Sequence, residues 1–235
     1  MKIEERLKNV PWREKEDSLS QFGYAPLGPL LTPEECADLI SQYPDDRRFR
    51  SRIDMSRYRF GEGDYKYFAY PLPRIVEQLR EHAYPPLAQI ANGWMDALHV
   101  EERFPETLAA FHEQCRGLGQ TKPTPLLLHY EAGGYNCLHQ DLYGELAFPL
   151  QMVCFLSQPG RDYTGGEFLL VEQRPRAQSA GEAVLPKQGE AIVFTTRYRP
   201  VKGSRGYYRA AMRHGVSRVK WGTRYTLGVI FHEAK

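Results

Sequence analysis

Apolar positions along this chain follow two different periods, and the change falls near residue 122. Before it the spacing is helical. Thr32-Pro33-Glu34-Glu35 offers an N-cap, a proline at the first helical position and first-turn acids ahead of the run CADLISQY. Pro73 to Ala83, Pro85 to Leu98 and Pro105 to Cys115 each carry apolar residues three and four apart, which predicts helices there. Between these, Phe49 to Tyr70 is rich in Arg, Tyr and Gly and reads as extended segments with a turn at Gly61-Glu62-Gly63.

After Thr121-Lys122-Pro123 the runs become short and alternating: LLLHY, LQMVCFL, EFLLVE, AIVF, YYRAAMRHGVSRV and YTLGVIF. Turns containing Gly or Pro separate them, as in AGG, QPGRDYTGG and KQGE. Many short strands at this spacing predict a sandwich or barrel rather than a parallel α/β sheet. The expected fold is mainly β with N-terminal helices, in one domain. Residues 1–121 would give helical support and substrate-side segments, and residues 122–235 the β core.

Composition narrows this picture little. With 42% hydrophobic and 26% charged residues, the chain has the makeup of a globular enzyme. No apolar run approaches the ~20 residues of a membrane span, and the charged start MKIEERLKNVPWREKED lacks the apolar stretch of a secretion signal. A cytoplasmic location is therefore expected. Cys36, Cys115, Cys137 and Cys154 form no C-x-x-C pair and are expected to be free, mostly buried thiols. The net charge is only +2, yet Arg197 to Lys220 contains many basic residues and no acidic one. That stretch is either a solvated strand edge or a surface for phosphates. Oligomeric state leaves no signature in the sequence.

The segment with chemistry in it is HYEAGGYNCLHQD, residues 129–141. On an extended strand His139 and Asp141 point the same way, because side chains alternate. His214, on a later strand, could supply a third ligand. Two histidines and a carboxylate on one face, with the opposite positions open, form the facial triad of non-haem Fe(II) oxygenases. H-x-D alone is a weak signal, since chains of this composition produce it by chance. His99-Val100-Glu101 has similar spacing but falls in a helical pattern, and reads as helix-end residues. What strengthens His139 and Asp141 is Arg224, ten residues after His214, with Thr226 on the same strand face. A guanidinium fork and a hydroxyl suit the distal carboxylate of a dicarboxylic cosubstrate.

These residues resemble the 2-oxoglutarate/Fe(II)-dependent oxygenases, which place H-x-D early, a distal His later and an Arg or Lys about ten residues beyond. Within that superfamily HYEAGGYNCLHQD and RYTLGVIF are similar to the AlkB-type patterns, and NCLHQDLYGE resembles a bacterial subfamily presumed to act on damaged nucleic acid. The resemblance implies a double-stranded β-helix, of the jelly-roll or cupin-like kind. It implies Fe(II) held by His139, Asp141 and His214, and 2-oxoglutarate held by Arg224 with help from Tyr130 and Thr226, with O2 as oxidant. Thr226 stands where the AlkB group has Asn, Ile230 where it has a second arginine, and Leu128 where it commonly has Asn. The implied reaction couples decarboxylation of 2-oxoglutarate to substrate hydroxylation, with alkylated nucleic acid as a substrate. A prolyl, other protein or small-molecule hydroxylase is the alternative for the same core. A non-catalytic, metal-containing cupin-type binding protein is the alternative of another class. Because ligating histidines must be neutral, activity is expected to fall in mild acid.

Other residues carry two readings each. Tyr143, Glu145 and the turn Gly165-Gly166-Glu167-Phe168 flank the expected site and either shape its mouth or simply form turns. Arg57-Tyr58-Arg59-Phe60 could stack on a nucleotide, although an aromatic strand packed on the core is the commoner arrangement. His82, His112, His129 and His232 read as ordinary polar histidines.

Overall fold

The computed structural model describes residues 1–141 and 144–235. The N-terminal half contains helices α1 (Ile3–Lys8), α2 (Trp12–Phe22), α3 (Pro33–Ser41), α4 (Arg74–Ala97) and α5 (Leu108–Gly117), and strands β1 (Tyr24–Pro29), β2 (Phe49–Asp54), β3 (Gly61–Glu62) and β4 (Asp64–Phe68). The C-terminal half adds β5 (Leu126–Tyr130), β6 (Tyr135–His139), β7 (Leu150–Phe155), β8 (Tyr163–Gly165), β9 (Phe168–Gln173) and β10 (Ala180–Val184). It ends with β11 (Glu190–Thr195), β12 (Tyr198–Gly203), β13 (Gly206–Val216), β14 (Val219–Gly222) and β15 (Arg224–Val229).

The major sheet has the order β1-β11-β7-β15-β5-β4-β2, and a second sheet the order β10-β9-β13-β6-β3, with β12 hairpinned onto β13. The ladders within both sheets are antiparallel. The two sheets close on each other through Val153, Phe155, Ile192 and Phe194 from one and Phe168, Leu170 and Met212 from the other. Burying each such side chain is worth about 1.5–3 kcal/mol. This is the jelly-roll architecture expected of the β core. All six residues of β7 are buried because its other face, Leu150, Met152 and Cys154, packs with α4 and neighbouring helices in the main apolar cluster. A strand covered on both sides reads as an unbroken apolar run.

The N-terminal half does more than support this core: β1 forms one edge of the major sheet, and β4 and β2 form the other. The α3 N-terminus is the expected one, with Thr32 Oγ1 accepting from Glu35 N–H and Glu35 reaching back to Thr32 N–H. The two helices expected on either side of Pro85 are instead one, α4, which runs through Pro85 and Pro86. A proline strips the i−4 carbonyl of its partner. Here those carbonyls belong to Glu81 and His82, on the less buried side, where water can serve them. The buried stripe Val76, Leu79, Ala83, Leu87, Ala91 and Trp94 holds the helix on course. All four cysteines are free, and only Cys137 is exposed. Among the described residues, no helix is long and apolar enough to cross a membrane.

Candidate metal and cosubstrate site

His214 sits on β13 between inward-facing Met212 and Val216, and Arg213 beside it is exposed. In the β6–β13 ladder its Cα partner is His139, the last residue of β6. The strands come close here because residue 215 is glycine. A Cβ at that position would lie 2.7 Å from the Asn136 carbonyl oxygen. Asp141 follows two residues after His139. The intervening Gln140 donates through Nε2 to the carbonyls of Arg197 (3.0 Å) and Met212 (2.8 Å), which ties the H-x-D segment to the β12–β13 hairpin.

The three side chains converge as the sequence led us to expect. Their ligand atoms all lie within 4.8 Å of one another. His139 Nε2 is 3.4 Å from Asp141 Oδ1, and His214 Nε2 is 3.2 Å from Asp141 Oδ2. His139 Nδ1 lies 2.7 Å from the Cys137 carbonyl, so that nitrogen donates and Nε2 is the one turned toward the carboxylate and free to ligate when deprotonated. A cation between these atoms satisfies all three groups at once.

The electrostatics favour the ligating state of two of them. Burial pushes the Asp141 carboxyl up, but the two imidazoles outweigh it and hold the group well below the usual carboxylate range. Burial lowers the pKa of His214, and the pull of Asp141 offsets this only in part. For His139 burial also acts downward, yet the contact with Asp141 leaves its pKa raised.

Arg224, the first residue of β15, is 1% exposed and is the Cα partner of Tyr130 on β5. Its guanidinium carbon lies 5.4, 5.6 and 5.8 Å from the ring centres of Tyr130, Phe155 and Tyr163. Among the described residues it forms no ion pair, and its Nε and Nη1 have no hydrogen-bond partner. A buried cation left uncompensated is costly, so the geometry calls for an anion from outside the chain. Gly166, at φ +64, makes room for it: a Cβ there would lie 2.9 Å from Arg224 Cδ. Tyr130 is fully buried, its hydroxyl accepts from Asn136 Nδ2 at 3.4 Å, and burial pushes its pKa up to about 12. Thr226 is 2% exposed on the same face of β15 as Arg224. A cavity of about 390 Å3 is lined by all six residues named from the sequence, His139, Asp141, His214, Arg224, Tyr130 and Thr226.

The structure also brings in residues that sequence reasoning passed over: Asn136, Tyr65 and Gln151 line the same cavity. Gln151 carried a signal, as the one polar residue in an otherwise apolar buried strand. Arg57-Tyr58-Arg59-Phe60 is neither a strand nor core packing. Met55–Tyr58 is a 3-10 turn, and Tyr58 and Phe60 are 57% and 46% exposed with their rings stacked 5.5 Å apart. Arg59 and Phe60 line the cavity. The basic stretch forms mainly the β12–β13 hairpin and β14; Arg197, Lys202, Arg205, Arg209, Arg213, Arg218 and Lys220 are exposed, while Arg199 is buried against Glu172.

Three other histidines have partners away from this cluster. His129 pairs with Asp64 at 2.9 Å, His112 bonds to the Phe231 carbonyl at 3.0 Å, and His232 Nδ1 accepts from Phe148 N–H at 3.3 Å. His99 is exposed just beyond α4, as expected of a helix end. Tyr143 lies outside the described residues, and Glu145 is an exposed partner of Lys235.

A family model described as "Oxygenase, catalysing oxidative methylation of damaged DNA" matches residues 63–234. The chain belongs to this oxygenase family. Two proteins of Mycobacterium tuberculosis, both called uncharacterized, are each 52% identical over 167 residues, covering 71% of this chain and 72% of theirs. Among solved structures, a prolyl-4-hydroxylase from Pseudomonas putida is 15% identical with a TM-score of 0.53, covering 95% of this chain and all of that one. A 2OG-Fe(II) oxygenase family oxidoreductase from Burkholderia pseudomallei is 14% identical with a TM-score of 0.53, covering 96% and 93%. At these identities the structural neighbours establish the shared jelly-roll fold.

Proposed function

We propose that this oxygenase uses Fe(II), 2-oxoglutarate and O2 to remove a methyl group from an alkylated nucleobase. The observation that carries the cosubstrate assignment is Arg224, a buried guanidinium with unpartnered donors in the same cavity as a His-Asp-His cluster. His139, Asp141 and His214 fit a divalent metal by donor set, spacing and burial, with His139 held by its Nδ1 bond. Iron bound there would supply the activation of dioxygen. Arg224 offers its fork to the far carboxylate of 2-oxoglutarate, with the Tyr130 and Thr226 hydroxyls on the neighbouring cavity wall. The enclosing rings of Phe155, Phe168 and Phe194 exclude water from the reacting centre.

The overall reaction converts 2-oxoglutarate, O2 and a substrate C–H to succinate, CO2 and C–OH. On an N-methyl carbon the hydroxylated product releases formaldehyde and the free base, so an oxygenase acting there demethylates. Three features support a nucleic acid as substrate: the family description, the stacked exposed rings of Tyr58 and Phe60 beside the cavity, and the basic β12–β13 hairpin. The alternative of a protein hydroxylase draws on the prolyl hydroxylases among the fold neighbours, but their likeness extends to fold alone.

The test is formaldehyde release from N-methylated single-stranded oligonucleotides by the Fe(II)-loaded protein, with succinate measured in parallel. Equal amounts of the two are expected. Succinate without formaldehyde from any such oligonucleotide would redirect the search to another substrate.

A further inference from the structure

Strand β6 brings a second polar side chain to the cavity besides His139. Asn136 lies three residues before it, and a regular strand turns residues three apart to opposite faces. The β6–β13 ladder breaks that rule. His214 pairs with His139 and Val216 with Asn136, so three steps along β6 are matched by two along β13. This bulge lets both side chains line the cavity. The backbone of Asn136 is pinned from both sides. Gly61 of β3 is its Cα partner, and a Cβ there would lie 3.0 Å from Asn136 Cα; a Cβ at Gly215 of β13 would lie 2.7 Å from the Asn136 carbonyl oxygen.

From that position the side chain bridges the two sheets. Asn136 Nδ2 donates to the hydroxyl of Tyr130 on β5, and Tyr130 is the Cα partner of Arg224. A phenol oxygen that accepts this bond still has a proton to give. Burial keeps the phenol protonated, its pKa pushed up to about 12. Among the described residues, Asn136 is the one hydrogen-bond partner of this hydroxyl, so its proton has no acceptor within the chain. The guanidinium carbon of Arg224 lies 5.4 Å from the Tyr130 ring centre, and its Nε and Nη1 also lack partners. Three donors therefore wait at one end of the cavity for the same anion.

We propose that Asn136 is a positioning residue for the cosubstrate: by donating to the Tyr130 hydroxyl, it turns the phenol proton toward the far carboxylate held by Arg224. This rests on the reading of Arg224 as the carboxylate anchor and deepens it. Without the amide, the hydroxyl rotates about its C–O bond and aims its donor at the carboxylate only part of the time. Asn136 and His139 share one strand, so the element that carries a metal ligand also sets the polarity of the carboxylate cradle. Both ends of 2-oxoglutarate are thereby registered to β6.

The experiment measures binding to the Mn(II)-loaded protein by isothermal titration calorimetry. Its two ligands are 2-oxoglutarate and 2-oxopentanoate, which has the same chain with a methyl in place of the far carboxylate. Asn136→Leu, close in size but without hydrogen-bonding groups, is expected to weaken 2-oxoglutarate about tenfold and to leave 2-oxopentanoate within about twofold of wild type. On a Tyr130→Phe background the same change is expected to cost 2-oxoglutarate less than about twofold more, because the group it acts through is gone. Unchanged 2-oxoglutarate binding by Asn136→Leu overturns the inference. So does an equal loss of both acids, or an undiminished loss on the Tyr130→Phe background. Full affinity of Tyr130→Phe for 2-oxoglutarate overturns it whether or not an Asn136 variant folds. The anchor reading fails by a different result: an Arg224→Met protein that prefers 2-oxoglutarate to 2-oxopentanoate as strongly as wild type overturns that reading, and this inference with it.

Discussion

His139 and His214 face each other across the β6–β13 ladder, with ring centroids 4.3 Å apart. Two of the three proposed ligands are therefore fixed by strand pairing, and Asp141 has only to return two residues beyond the end of β6. Phe168 and Phe194 flank the His214 ring at 5.9 and 4.7 Å, which limits its rotation. Ligands held on paired strands lose little freedom when a metal binds, so the site is organised before it is filled.

The pairing depends on Gly215. Its replacement by alanine would put a Cβ against the backbone oxygens of Asn136 and Cys137, 2.7 and 3.1 Å away. Backbone cannot give way as a flexible side chain can. Gly215→Ala is expected to weaken Mn(II) or Co(II) binding by about 10- to 100-fold, as loss of a supporting contact around a metal site does. Isothermal titration calorimetry measures this, and unchanged affinity would mean that the close approach is dispensable.

Arg224 makes a prediction with opposite signs in two assays. Without cosubstrate its buried charge lacks an ion-pair partner, so Arg224→Met is expected to raise the stability of the ligand-free protein by about 1–4 kcal/mol. The same change removes the carboxylate anchor. Wild type should therefore gain thermal stability when 2-oxoglutarate is added with Mn(II), and the variant should gain almost none. Denaturant unfolding and thermal shift read the two effects. A destabilised variant that still responds to 2-oxoglutarate would show that the guanidinium serves packing alone.

His232 sets an acid limit on stability. Burial, with help from Arg80, lowers its pKa from 6.5 to about 4, and its Nδ1 must stay unprotonated to accept from Phe148 N–H. The unfolded chain takes up this proton near pH 6.5, whereas the folded one resists until about pH 4. Stability is thus undiminished above pH 6.5 and falls as the pH drops between those values, by up to ~3 kcal/mol. His232→Asn keeps an acceptor without the titration, and is expected to flatten this part of the stability–pH curve. A curve of unchanged slope would count against the assignment.

Much of the site could be read from sequence because its residues follow strand periodicity: His139 and Asp141 share a face, and so do Arg224 and Thr226. The strands after residue 122 were legible for the same reason. What escaped notice depends on long-range packing. Helices α1 and α2 lie in a charged stretch whose few apolar anchors, Ile3, Leu7 and Leu19, have meaning only once other elements cover them. Strand β1 contains two prolines and a glycine and is held by pairing to β11 at the sheet edge. Helix α4 overrides Pro85 and Pro86 through its buried stripe. Asn136 lines the cavity and bonds to the Tyr130 hydroxyl from the neighbouring sheet, a juxtaposition that no spacing rule announces.

The most direct measurement is CO2 release from 2-oxoglutarate labelled at C1, made with and without Fe(II) and O2, on wild type and on His214→Ala. The account predicts that wild type yields CO2 and succinate in equal amounts, only when both iron and oxygen are present, and that the variant yields neither. No release from the iron-loaded wild-type protein, or undiminished release from His214→Ala, would contradict it.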